Sequence, residues 1–258
     1  MNKRVVVTGG TSRFGKDVVK RFVEAGNHVL FTGIEHRDDG EAVADELKAI
    51  NDAVTIEYCR CNLSSEQSVK ETAGAVAERL GGCDILVNNA ANLKCGAVHQ
   101  MEVFAWERVF DVDVKGVFLT CKHILPMMME QHGGAVVNIT SDADGLTGGS
   151  TAVSTSANGA VLNLTQSMAL DYADYGIRVN AVSPMALASK LFARGAAPSD
   201  LVNYAKSVPL KRIAKPVEVA NAVFFLASDQ ASFITGVNLP VDGGLSASRG
   251  PINLTGPS

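Results

Sequence analysis

Short apolar runs alternate along the chain with longer stretches in which apolar residues return every three or four positions. Val5, Val6 and Val7 form the first strand-like run. After the turn Thr8-Gly9-Gly10-Thr11-Ser12-Arg13-Phe14-Gly15, the residues Val18, Val19, Phe22 and Val23 fall at helical spacing as far as Ala25-Gly26. The pattern then repeats. Further strands are predicted from His28 to Thr32, from Val54 to Cys59, around Ile85 to Val87, from Ala135 to Ile139, up to Val182-Ser183-Pro184-Met185, and from Ile234 towards Gly244. The helices between them are marked by their apolar faces and their ends. Asp38 and Asp39 can cap a helix with Val43, Leu47 and Ile50 inward, and Ser64 with Gln67 makes a capping box for a helix running to Leu80. Trp106, Val109, Phe110, Val114, Val117 and Phe118 extend an amphipathic pattern to Pro126. A helix from about Ser154 runs through Leu162, Leu164, Met168 and Leu170 to a stop at Tyr175-Gly176, and Pro216 opens another at its first turn.

With 258 residues, 47% hydrophobic and 19% charged, the chain suits one large domain with a substantial core. A net charge of −4 gives no reason to expect nucleic acid or an anionic membrane surface as a partner. Met1-Asn2-Lys3-Arg4 runs straight into the first strand, so no signal peptide is expected, and no apolar run approaches the ~18 residues of a membrane helix. The five cysteines, Cys59, Cys61, Cys83, Cys95 and Cys121, lack metal-ligand spacing. They are expected to be buried, reduced thiols of a cytoplasmic protein, with no metal bound.

The strand Ala135–Ile139 delivers Thr140-Ser141, and thirteen residues beyond Ser141 the chain reads Ser154-Thr155-Ser156-Ala157-Asn158. Together with the glycine turn, Asp84-Ile85-Leu86-Val87-Asn88-Asn89-Ala90-Ala91, Asp113-Val114-Lys115-Gly116 and the closing segment Ile234 to Gly244, these segments resemble the short-chain dehydrogenase/reductase family from residue 4 to about 246. The resemblance implies one α/β domain over residues 1–258, of the doubly wound Rossmann type, with a seven-stranded parallel sheet and helices on both faces.

In that family a serine is followed about thirteen residues later by a tyrosine, with a lysine four further on. Here Ser141 is present, but Ser154 and Asn158 hold the other two positions. Hydride transfer to a carbonyl needs a proton donor, and a phenol whose pKa is lowered by a neighbouring ammonium can serve. A serine beside an asparagine cannot, and losing such catalysis typically costs ~10²–10⁴ in rate. Tyr172 lies roughly 27 Å further along the predicted helix, at about 1.5 Å per residue. Other departures follow the same line. Arg13 stands at the middle glycine of the dinucleotide turn, where it either pairs with an adenosine phosphate or fills a disused pocket. Gly33 and Ile34 supply neither the acid that would hold the ribose hydroxyls of NAD nor the arginine that would favour NADP, and Glu35 and Arg37 are taken as solvated loop charges. Asn62 replaces an aspartate that meets the adenine, Asp113 a catalytic asparagine, Met185 a glycine and Ser189 a threonine. Met185 is taken as filler. Lys94, Cys95 and His99 are expected on the surface of a loop.

The degenerate catalytic positions are therefore Asp113, Ser141, Ser154 and Asn158, with Gly9, Ser12, Gly15, Asn62 and Asn89 as vestigial cofactor contacts. Three functions remain open. The first is a non-catalytic subunit of a homo- or heterotetramer, assembled with an active paralogue that oxidises a hydroxyacyl-type substrate as part of an NAD-dependent alcohol dehydrogenase complex; NAD would then sit in the partner and no cofactor in this chain. The second is a stand-alone enzyme with repurposed non-redox chemistry through Ser141, Asp113 or His99. The third is an oxidoreductase with an unusual proton donor.

Overall fold

The computed structural model describes residues 2–92, 94–140, 151–185 and 198–248. Among these, seven strands form one parallel sheet in the order β3-β2-β1-β4-β5-β6-β7. They are β1 Arg4–Val7, β2 His28–Gly33, β3 Ile56–Arg60, β4 Ile85–Asn88, β5 Gly134–Ile139, β6 Ile177–Pro184 and β7 Asn238–Val241. The helices are α1 Arg13–Glu24, α2 Arg37–Lys48, α3 Glu66–Leu80, α4 Val103–Phe110, α5 Gly116–Glu130, α6 Ala152–Asp171, α7 Pro198–Ser207 and α8 Pro216–Ala227. This is the doubly wound α/β architecture expected from the sequence.

Successive strand residues point to opposite faces, so a strand covered on both sides must be apolar throughout. Val5 and Val7 pack with Val18, Val19 and Phe22 of α1 and with Val219, Val223 and Leu226 of α8. Val6, between them, packs on the other face with Ile124, Leu125 and Met128 of α5 and Val161 and Met168 of α6. Strand order reverses direction between β1 and β4, which opens a crevice at their carboxyl ends.

Several boundaries differ from the sequence pattern for local reasons. Ser65, not Ser64, caps α3 by accepting from the Ser68 N–H, while Ser64 donates its hydroxyl to Asn62. Asp38 and Asp39 lie inside the first turn of α2, where they complement the helix dipole rather than cap it. Helix α6 starts at Ala152 and ends at Asp171, and the Ala173–Tyr175 turn intervenes before Gly176 at φ 68°. Pro126 sits within α5 instead of ending it. Between α4 and α5 the helix widens into a π-turn over Asp111–Lys115, a feature often associated with functional sites.

Candidate functional site

The crevice is built first by the turn joining β1 to α1. Gly9 is left-handed at φ 64°, and a Cβ there would lie 2.9 Å from the Ala90 Cα. A Cβ on Gly15 would meet the Gly9 carbonyl at 2.1 Å. Only glycine lets the turn fold this tightly against the end of β4. Ser12 closes it by accepting from the Gly15 N–H at 3.0 Å and donating to the Gly9 carbonyl at 2.8 Å. Asn89 fixes the turn from the other side, donating to the carbonyls of Thr8 and Gly9 at 3.0 Å each. Asn89 is thus primarily a brace, although it also lines the crevice.

A cavity of about 410 Å³ opens over this turn. Gly9, Ser12, Asn62 and Asn89, four of the five expected cofactor contacts, line it; Gly15 lies beneath, shaping the turn. Asn62 has its side-chain oxygen engaged by the Ser64 N–H at 3.1 Å and hydroxyl at 2.8 Å. Arg13 is exposed at the first position of α1 and lines the same cavity.

Glu35 is exposed in the loop after β2, as expected, but its carboxylate also turns back over Gly33, accepts the Thr11 hydroxyl at 2.7 Å and lines the cavity. Its backbone carbonyl is held from below by the Tyr58 hydroxyl at 2.8 Å. Burial, with the Glu35 charge in second place, pushes that phenol up to about 12, so it remains a donor. Sequence spacing missed this because both partners of Glu35 are remote in the chain. Arg37, by contrast, makes an exposed pair with Glu41.

The geometry fits the adenosine diphosphate half of a nicotinamide dinucleotide. The turn from Gly9 to Ser12 and the α1 N-terminus would face its diphosphate, and Glu35 its ribose. Such a group supplies a hydride acceptor or donor.

At the catalytic end the described residues provide no matching acid. Ser154 is buried, and its hydroxyl donates to the Lys94 carbonyl at 3.1 Å. Asn158 donates to the Ser154 carbonyl at 2.8 Å. Asp113, in the π-turn, accepts the Asn92 N–H at 2.6 Å and so anchors the loop after β4. Tyr172 is the residue capping the far end of α6, packed beside the core that includes Met168. Ser141 and Ser189 lie outside the described residues. Met185 packs against the small cluster of Val208 and Leu245, as filler would. The side chains of Lys94, Cys95 and His99 are exposed.

Behind both ends runs a buried polar chain that the motifs did not reveal. Thr120 donates to Asn88 at 2.7 Å, Asn88 to Asn138 at 2.8 Å, and Asn138 to Thr165 at 2.8 Å. It ties α5, β4, β5 and α6 together directly beneath the site. Among the described residues no cluster of His, Cys, Asp or Glu could hold a metal ion, and no helix is long and apolar enough to cross a membrane. All five cysteines are free; Cys61, Cys83 and Cys121 are buried, but Cys59 is half-buried and Cys95 exposed, against the expectation that all are interior.

Known proteins share this architecture. The 3-oxoacyl-(acyl-carrier-protein) reductase FabG of Staphylococcus epidermidis is 36% identical over 248 residues, covering 95% of this chain and 99% of that protein. The crystal structure of levodione reductase superposes with a TM-score of 0.89 at 28% identity, over 95% of this chain and 98% of the other. The structure of a gluconate 5-dehydrogenase from Burkholderia cenocepacia J2315, in complex with NADP and tartrate, gives a TM-score of 0.90 at 25% identity over 96% and 97% of the two chains. A family model described as enoyl-(acyl carrier protein) reductase matches residues 10–246, and with the parallel sheet and the glycine turn in place the chain belongs to the short-chain dehydrogenase/reductase family.

Proposed function

We propose that this chain is a non-catalytic subunit that assembles, in a tetramer, with an active NAD-dependent paralogue oxidising a hydroxyacyl-type substrate. The observation that carries the proposal is the state of the two positions where a phenol and an ammonium are expected. Ser154 spends its hydroxyl on the Lys94 carbonyl, and Asn158 donates to the Ser154 carbonyl. Neither can deliver a proton to a forming alkoxide at neutral pH. The pattern of loss resembles non-catalytic subunits of heteromeric short-chain dehydrogenases such as 2-(hydroxy(phenyl)methyl)succinyl-CoA dehydrogenase. Exposed apolar side chains on the helical layer, Leu170 at 80% and Phe104 at 71% among them, supply material for subunit contacts.

Co-expression with a paralogue that carries the Tyr and Lys pair, followed by native mass measurement, tests the proposal. A mixed tetramer is expected, whose turnover survives Ser154→Ala and Ser141→Ala in this chain and is abolished by Tyr→Phe in the paralogue. A homomer of this chain that oxidises or reduces NAD(P)(H) would instead favour an unusual proton donor. A homomer active without a dinucleotide and disabled by Ser141→Ala would favour repurposed non-redox chemistry.

A further inference from the structure

We infer that this chain holds a small uncharged molecule, the size of one aromatic ring or about six carbon atoms, in an apolar pocket between the starts of α4 and α6. The inference goes beyond the proposed function and is independent of whether a partner subunit exists. The pocket shares no lining residue with the cavity over the glycine turn.

Three segments wall the pocket, whose volume is about 180 Å³. Gly96, Val98 and Met101 come from the loop after β4, Val103 and Trp106 from α4, and Ala152 and Val153 from α6. Beneath lies a small core separate from the two that cover the sheet: Val109, Val153 and Ala157 are buried in it, while Met101, Trp106 and Phe110 pack on it only partly covered. Apolar atoms that face a void lack dispersion partners, and a ring-sized guest supplies them; an apolar cavity of about 150 Å³ is enough to hold benzene. No wall residue carries a charge, so an ion that entered would lose hydration without gaining a counter-ion. Val98 and Val103, both exposed, form the open rim and leave the polar end of a guest in water.

The loop that makes one wall is fastened by two of the residues that stand at degenerate catalytic positions. Asp113 accepts the Asn92 N–H at 2.6 Å, and Ser154, next to Val153, donates to the Lys94 carbonyl at 3.1 Å. Beyond these points the loop turns through Val98–Gln100, closed by the Met101 N–H donating to the Val98 carbonyl at 3.2 Å. On the opposite wall Trp106 stacks on Phe110, with ring centroids 4.9 Å apart and planes 20° from parallel. Walls fixed in advance lose little conformational freedom when a guest enters. Ser154 and Asp113, no longer placed to move protons, thus shape a binding surface.

The shape favours a free molecule over a docked protein segment. An amphipathic helix seats several side chains along a groove, whereas these walls leave room for a single ring. The competing occupant is one apolar side chain from a second copy of the chain. Phe104 separates the two cases, because it is exposed on α4 yet does not line the pocket. A subunit contact at this end of α4 would cover Phe104 as well; a ring-sized guest would leave it in water.

Trp106 is the only tryptophan of the chain, so its emission reports on this pocket directly. The purified full chain is titrated with benzyl alcohol, n-hexanol and benzylamine, the last being the cationic isostere of the first at pH 7, with indole fluorescence and calorimetry as readouts. The two alcohols should change the emission saturably, with half-saturation at about 1 mM or below, and benzylamine should bind at least about tenfold more weakly. Val103→Asp places a charge in the lining at an exposed position in the first turn of α4, where an acid suits the helix, and should weaken benzyl alcohol at least about tenfold. Gly96→Val fills the space instead: a Cβ there meets only the flexible end of Met101, its Cε at 3.0 Å, and saturable binding should be lost. Phe104→Asp, outside the lining, should leave the affinity for benzyl alcohol within about twofold, since an exposed charge acts weakly on a neutral guest. The inference is overturned if neither alcohol gives a saturable response, whether the space is closed or filled by a second copy, if benzylamine binds as tightly as benzyl alcohol, or if Val103→Asp and Gly96→Val both leave the affinity unchanged. Equal losses from Phe104→Asp and Val103→Asp would place the probes on an open subunit face and overturn it as well.

Discussion

Asn138→Ala is the most exacting probe of what holds the site together. Asn138 is fully buried in β5; its Oδ1 accepts from Asn88 and its Nδ2 donates to Thr165, both at 2.8 Å. Truncation leaves the Asn88 amide with only the soft Cys121 sulfur at 3.6 Å. Thr165 still donates to the Val161 carbonyl at 2.8 Å but loses its incoming donor. One orphaned buried donor costs ~1–3 kcal/mol, and the void left by the missing amide adds to it, so the expected loss is about 2–4 kcal/mol. That is a large share of the ~5–15 kcal/mol by which a domain is stable, and should lower the melting temperature by on the order of 10 °C. Urea denaturation followed by circular dichroism measures it. Asn163→Ala is the control, because Asn163 is exposed and its amide donates to the Gly159 carbonyl within its own helix; it should cost under about 0.5 kcal/mol. If Asn138→Ala lay within 0.5 kcal/mol or so of wild type in the same assay, the polar chain could not be the brace described above.

Gly15→Ala should be far more damaging than its size suggests, since the new methyl would meet the Gly9 carbonyl at 2.1 Å and the Asn89 amide at 2.7 Å; a drop of several kcal/mol, or failure to yield soluble protein, is expected, and an unchanged unfolding midpoint would contradict the described turn. Glu218 accepts two bonds from Arg212 and one from the Lys215 N–H, which together hold its carboxyl down at about 2. A depressed folded-state value stabilises the protein above the ordinary glutamate range and is lost as pH falls from there towards 2. Glu218→Gln should therefore lower the melting temperature at pH 7 but converge with wild type as the pH approaches 2; because the pair is exposed, the difference is at most ~1 kcal/mol. Thiol labelling at pH 8 should modify Cys95 first and leave Cys121, whose thiol burial pushes up to about 12, untouched until the chain unfolds; rapid reaction of Cys121 in the native state would refute the packing around it.

The fold was legible because its strands are buried on both faces. Runs such as Val5 to Val7 and Ala135 to Ile139 have no polar alternation to confuse them, and the turn from Gly9 to Gly15 announces a strand passing into a helix. Helix ends were less clear, because neighbouring serines compete for one cap: Ser64 and Ser65 differ in geometry, not in chemistry. The amphipathic pattern reaches only to Pro126, yet α5 runs on through it, held by packing on both sides through Leu125 and Met128. The loss of the Tyr and Lys pair at Ser154 and Asn158 could be read directly, since it depends on residue identity alone. Glu35 could not. Its position depends on Thr11 and Tyr58, 24 and 23 residues away, and spacing within one strand carries no trace of either.

The π-turn at Asp111–Lys115 also sets the rotational phase of everything after it. Val109 and Val117 are both buried, yet they are eight residues apart. At about 100° per residue a regular helix would rotate one away from the other by about 80°, whereas absorbing one residue in the wide turn reduces the offset to about 20°. The extra residue acts as a phase correction, bringing two helical segments with different sequence frames onto one continuous surface. Straightening this stretch into a regular helix at the same length would swing Cys121, Ile124, Leu125 and Met128 by about 100°, out of the core, whereas deleting one residue along with the wide turn would keep them in phase.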